Sequence, residues 1–174
     1  IVPDFTFIAS ASAVVMAGAQ PIFVDVNKHN FQIDLSNGEK LISPATKAIM
    51  PVHIYGAVAD MDAVVVFAER YGLIIIEDAA QAFASKDKYD NYLGTQSDIG
   101  CFSLSITKII NMVYGGFCAT NSRKFAQNLI SIRNNGVNAE PENAKLELAS
   151  QPGLNLKPSD LHSCIGYSNL KHRK

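Results

Sequence analysis

The 174-residue sequence lacks an excess of charge of either sign: 15 lysines and arginines stand against 16 aspartates and glutamates, a formal net charge of −1. Nucleic acids and anionic membrane surfaces are bound by a basic excess, so neither is expected as the main partner. Cysteine is also scarce. Cys101, Cys118 and Cys164 are far apart, odd in number and without metal spacing such as C-x-x-C. They are expected to be reduced, buried thiols, which points to the cytoplasm. No apolar run is long enough to cross a bilayer. The phosphate-binding patterns G-x-G-x-x-G and G-x-x-x-x-G-K-[ST] are missing, and so is the nucleophile elbow G-x-S-x-G. Nothing in the sequence therefore supports a dinucleotide fold, a P-loop or a serine hydrolase.

What is present is a globular composition, 48% hydrophobic and 18% charged, sufficient for a sizeable core. Short β-branched runs bounded by turn residues predict strands at 21–26, 48–54 and 72–79. Between the last two, "DMDAVVVFAERYG" predicts a helix capped by Asp60 or Asp62 and ended at Gly72, completing a β-α-β unit. Residues 10–19 read as a helix starting at a serine cap and ending near Gly18. Further strands are predicted at 98–105 and 115–121, and helices at 122–136 and 158–172, the latter capped by Ser159. Residues 137–153 are polar and predicted to be a loop. Strands alternating with helices indicate an α/β fold around a mostly parallel sheet.

Two places carry candidate chemistry. In "IIIEDAAQA" three isoleucines run into Glu77 and Asp78, and ligands of open α/β sheets bind at the carboxyl ends of strands. An acid there has two roles open to it: capping the next helix, or facing a cationic group of a ligand, with Gln81 adding a neutral hydrogen bond. The second place is "FSLSITKII", residues 102–110, which reads as a buried segment with one charge, Lys108. A lysine in a desolvated site is a nucleophile, whereas one at a strand end simply snorkels to water. Lysine and acid together match pyridoxal phosphate, where a lysine forms the Schiff base and an acid pairs with the pyridinium nitrogen. Ser103, Ser105 and Thr107 are available to its phosphate. His53, at the end of a predicted strand, is open to either a ligand or a structural role.

The motifs follow a familiar order: "PDFTFIASASAVVMAGAQPIFVDV", "TKAIMPVHIYGAVADMDAV", "GLIIIEDAAQA", "SDIGCFSLSITK", "GGFCATN", "IRNNG" and "GLNLKPSDLHSCIG". Together, over almost the whole chain, they resemble the DegT/DnrJ/EryC1/StrS family of pyridoxal-phosphate-dependent sugar aminotransferases. The resemblance implies the large domain of aminotransferase fold type I, an α/β/α sandwich, across residues 1–174. It implies Lys108 as Schiff-base lysine, Asp78 on the pyridinium nitrogen, Gln81 at the ring hydroxyl, Ser103 on the phosphate and Phe7 stacked on the ring. Asn155 is similar to an asparagine that reaches the phosphate of the neighbouring subunit, which implies a homodimer with a shared active site. The implied substrates are a nucleotide-linked keto-deoxy-sugar and an amino donor, typically glutamate. Both chain ends read as cut, and the family's Ser-Gly-Thr segment and small C-terminal domain are expected outside this sequence. Other chemistry on the same cofactor (dehydration or aromatic formation) and a non-catalytic regulatory protein of the same fold are the alternatives. Lysine rather than histidine at position 108 sets the chain apart from the family's sugar-dehydratase branch.

Overall fold

The computed structural model describes residues 1–137 and 149–172 and divides into two compact units, Ile1–Ser103 and Leu104–Lys174. In the first unit, strands β1 (Val2–Pro3) and β2 (Phe23–Val24) pair in parallel, and helix α1 (Ile8–Met16) joins them. A short helix α2 (Leu35–Glu39) follows, its start fixed by Asp34, whose carboxylate accepts the Ser36 and Asn37 N–H groups. Strands β3 (Ala48–Ile49), β4 (Ile74–Asp78) and β5 (Ile99–Ser103) are parallel neighbours in that order.

Helix α3 (Met61–Tyr71) crosses from β3 to β4 as the hydrophobic pattern predicts. Asp60 caps it, its carboxylate accepting the Ala63 N–H at 3.1 Å. Gly72 ends it in the left-handed conformation, φ 62°, where a side chain would press on the backbone. The buried face of α3, Val64, Phe67 and Ala68, packs with Ile49, Leu73 and Ile75 into the main core. Fully burying such a side chain contributes about 1.5–3 kcal/mol, so this face holds the β-α-β unit together.

In the second unit a turn-rich segment leads from residue 104 to β6 (Gly116–Ala119), then to α4 (Arg123–Arg133) and α5 (Asp160–Lys171). Ser122 and Ser159 cap the two helices through Phe125 N–H and His162 N–H. Gly166, the buried residue of α5, faces Met112, and Asn169 donates to the Asn111 carbonyl at 2.7 Å, so α5 braces the segment containing Lys108.

Several expectations need correction. Helix α1 starts at Ile8 rather than at a serine: its N-cap is Phe7, which makes no side-chain cap bond, and Ser10 lies inside the helix. The strands are shorter than their apolar runs because pairing partners cover only part of each. Residues 102–110 are not one buried segment, since β5 stops at Ser103 and the turn beyond leaves Ile106 66% and Ile109 59% exposed. The cysteines are free as expected, but Cys101 is half-buried and Cys118 and Cys164 are exposed, little among the described residues covering β6 and α5. Most of the predicted 137–153 loop lies outside the described residues.

Two glycines give a contrast that tests this packing. A Cβ on Gly72 meets nothing within 4 Å, whereas one on Gly100 of β5 runs into the backbone of Gly94. Gly72→Ala should cost about 1–2 kcal/mol, the left-handed penalty alone. Gly100→Ala should cost about 3 kcal/mol or more from overpacking. Urea unfolding of the two variants checks the order.

Candidate functional site

Strand β4 has a clear alternation. Ile75 and Glu77 are buried on one face, while Ile76 and Asp78 point the other way and are partly accessible. The strand therefore ends with two carboxylates facing opposite sides of the sheet.

Asp78 sits at the carboxyl end of β4, opposite Cys101 of β5. Its Oδ2 accepts a hydrogen bond from Ser10 Oγ at 2.7 Å, and Ser10 Oγ also meets Thr6 Oγ1 at 2.8 Å. Its Oδ1 accepts the Ala80 N–H at 3.1 Å. The residues after it form a turn rather than a helix, so Asp78 caps no helix. Each oxygen uses one hydrogen bond and keeps further acceptor capacity. Phe7 stands at the head of α1, one turn before Ser10 and 68% exposed. Ser103 closes β5, the neighbouring parallel strand, two residues beyond Asp78's partner. Asp78, Phe7 and Ser103 are thus brought to one end of the parallel sheet of the first unit.

Gln81 lies in the turn after Asp78, and its Oε1 accepts the Tyr55 N–H at 2.8 Å. Because Tyr55 N–H is a donor, the amide's assignment is fixed, and its NH₂ is the end left to present.

Glu77 and His53 are fully buried and bonded to each other, His53 Nε2 to Glu77 Oε1 at 2.8 Å. The other ring nitrogen, Nδ1, accepts the Ala59 N–H at 3.1 Å. His53 Nδ1 is therefore unprotonated and Nε2 donates to the carboxylate. Glu77 also accepts the N–H groups of Gly94 and Gln96. Burial, the largest influence, pushes it towards the neutral form, but interactions led by the hydrogen bonds from His53 and Gly94 outweigh that and hold its pKa below the ordinary 4.5. His53 and Glu77 are structural partners, which decides the question left open for the histidine.

In the second unit Lys108 is half-buried in the turn after Ser105, its N–H donating to the Ser105 carbonyl at 2.9 Å. Among the described residues its ammonium has no hydrogen-bond or ion-pair partner. Asn155 is exposed and bridges Asn134 through the backbone, so it sits in extended pairing rather than a tight turn.

Sequence reasoning missed Ser10, Thr6 and Tyr55. Ser10 carries a signal that reads equally as a helix cap, and Tyr55 carries none, since its contribution is a backbone amide.

A model of the DegT/DnrJ/EryC1/StrS aminotransferase family matches residues 1–174. The chain belongs to that family. It is 36% identical over 98% of its length to GDP-perosamine synthase of Caulobacter vibrioides, covering 45% of that protein. It is 41% identical over 97% of its length to a pleiotropic regulatory protein of Geobacillus stearothermophilus, covering 40%. Among solved structures, S. venezuelae DesV in complex with a ketimine intermediate superposes with a TM-score of 0.85 at 32% identity, over 98% of this chain and 45% of that one. The fold is that of fold type I aminotransferases. The chain spans less than half the length of these relatives. No helix among the described residues is long and apolar enough to cross a membrane.

The state of Glu77 makes a pH prediction. Its folded-state pKa is depressed, so its stabilising contribution is complete above about pH 4.5 and is lost as pH falls through the folded value. Glu77→Gln should lower stability at neutral pH by about 1.5–3 kcal/mol, the worth of hydrogen bonds to a charged group. The gap to wild type should narrow below about pH 4.5, as urea denaturation across pH can measure.

Proposed function

We propose that the full-length protein is a pyridoxal-phosphate-dependent aminotransferase acting on a nucleotide-linked keto-deoxy-sugar, with glutamate as the typical amino donor. The observation that carries this reading is the carboxylate of Asp78 at a strand end, oriented from both sides by Ser10 and Ala80 yet with acceptor capacity left. That donor set fits the cofactor. Asp78 would accept from its ring nitrogen, Phe7 would stack on the ring, Gln81 would donate to the ring oxygen and Ser103 would bind the phosphate. When bound, pyridoxal phosphate supplies the electron sink that stabilises a carbanion at the reacting carbon.

The chain's own residues do the rest. Asp78 would keep the ring nitrogen's proton in place, since the hydroxyl of buried Ser10 restrains the carboxylate. Lys108 would hold the cofactor through Nζ. The same nitrogen would serve as the proton carrier, as general base and then general acid. The half-buried position of Lys108, and an ammonium without a partner among the described residues, suit both tasks. Asn155, exposed on its strand-like segment, would reach the phosphate in a homodimer with shared active sites. The expected compartment is the cytoplasm.

A second reading is favoured by one observation: the Geobacillus relative bears the name of a regulatory protein. On that reading the fold is kept and turnover is not its task.

Borohydride reduction of the holoprotein followed by peptide mapping should label Lys108; label on another lysine would remove it from this role. Asp78→Asn should leave folding nearly unchanged and lower turnover by about a hundredfold or more, the scale of one lost electrostatic contact in a preorganised site. Steady-state kinetics with a nucleotide-linked keto-sugar and glutamate measure it. Absence of any turnover in the wild-type full-length protein would favour the regulatory reading.

A further inference from the structure

The turn joining β3 to α3 is unusual for a segment containing a bulky side chain. Tyr55 has φ 54° and Gly56 φ 78°, so two consecutive residues are left-handed. A non-glycine residue held there persists only when its surroundings enforce it. His53 makes three bonds that hold this turn. Its backbone N–H donates to the Asp78 carbonyl at 3.0 Å, anchoring the turn's start to the end of β4. Its ring bonds forward to Ala59 N–H through Nδ1 and sideways to Glu77 through Nε2. His53 thus bridges the two sides of the turn, residues 53 and 59, while Glu77 ties it to residues 94 and 96.

The consequence appears at the turn's apex. The left-handed backbone aims Tyr55 N–H at Gln81 Oε1, and Gly56 beside it takes φ 78° without the strain a side chain would add. Gln81 cannot turn its oxygen outward without abandoning that bond. Its NH₂ is therefore the presented group.

We propose that His53, held as the Nε2-protonated neutral tautomer by Glu77 and Ala59, is a positioning residue that locks Gln81 as a hydrogen-bond donor towards the cofactor's ring oxygen. This rests on the reading of Gln81 given under the proposed function. An oriented donor favours the ionised form of that oxygen, so loosening Gln81 raises the pH at which the oxygen ionises.

The test uses the full-length protein loaded with pyridoxal phosphate, following visible absorption against pH. Gln81→Leu removes the donor and should move the midpoint up by about one pH unit, a tenfold change in the ionisation equilibrium. His53→Phe, which keeps Gln81 but removes both ring bonds, should move it in the same direction. His53→Gln, which restores an uncharged donor and acceptor, should return part of the shift. If Gln81→Leu shifts the midpoint and the folded His53 variants do not, the positioning role is overturned while the cofactor reading stands. If Gln81→Leu also leaves it unmoved, Gln81 does not face the ring oxygen and both fail. Should His53→Phe not fold, ¹⁵N spectra of the wild-type histidine ring decide the matter. A ring protonated on Nε2 and not on Nδ1 supports the lock; a ring protonated on Nδ1 overturns it.

Discussion

A carboxylate with no access to water must have its oxygens satisfied by donors, and Glu77 imposes that requirement on everything around it. It faces inward because β4 alternates, and the alternation that buries Glu77 turns Asp78 to the other side. His53, Gly94 and Gln96 converge on Glu77 from two separate loops. Satisfying one buried charge thus fixes the turn after β3, the loop before β5 and, at the next residue, the end of β4. The strand end that carries Asp78 is rigid because its neighbour in sequence is buried and fully engaged.

The same arrangement separates support from contact. Glu77 and His53 are shut away from solvent and act through others, whereas Asp78, Gln81 and Phe7 lie where a ligand can reach them. Ser10 belongs with the supports. From the first turn of α1 it restrains Asp78 across 68 residues of sequence. A ligand site at the carboxyl ends of parallel strands is where an α/β sheet places one, and Asp78 puts a carboxylate with acceptor capacity at such an end.

Much of this was legible in the sequence, for identifiable reasons. Helix α3 and strand β4 follow from local patterns: an aspartate cap, one apolar face, a glycine stop and a β-branched run. The caps Ser122 and Ser159 were readable in the same way. The start of α1 was not, because a serine after an apolar stretch looks the same whether it caps a helix or bonds a distant carboxylate. Helix α2 escaped notice because it is five residues long and has too short an apolar pattern. The burial of residues 102–110 was overread: apolar composition shows what tends to be covered, not what this length of chain covers. The lock on Gln81 runs through the backbone amide of Tyr55, and no side-chain pattern encodes that.

The central claim is that Asp78 holds the protonated ring nitrogen of pyridoxal phosphate. The most direct measurement is the ¹⁵N chemical shift of ring-labelled cofactor bound to the full-length protein at neutral pH, in wild type and in Asp78→Asn. The account predicts a protonated ring nitrogen in wild type and loss of that proton in the variant. A bound cofactor whose ring nitrogen has the same protonation state with and without the carboxylate would contradict it.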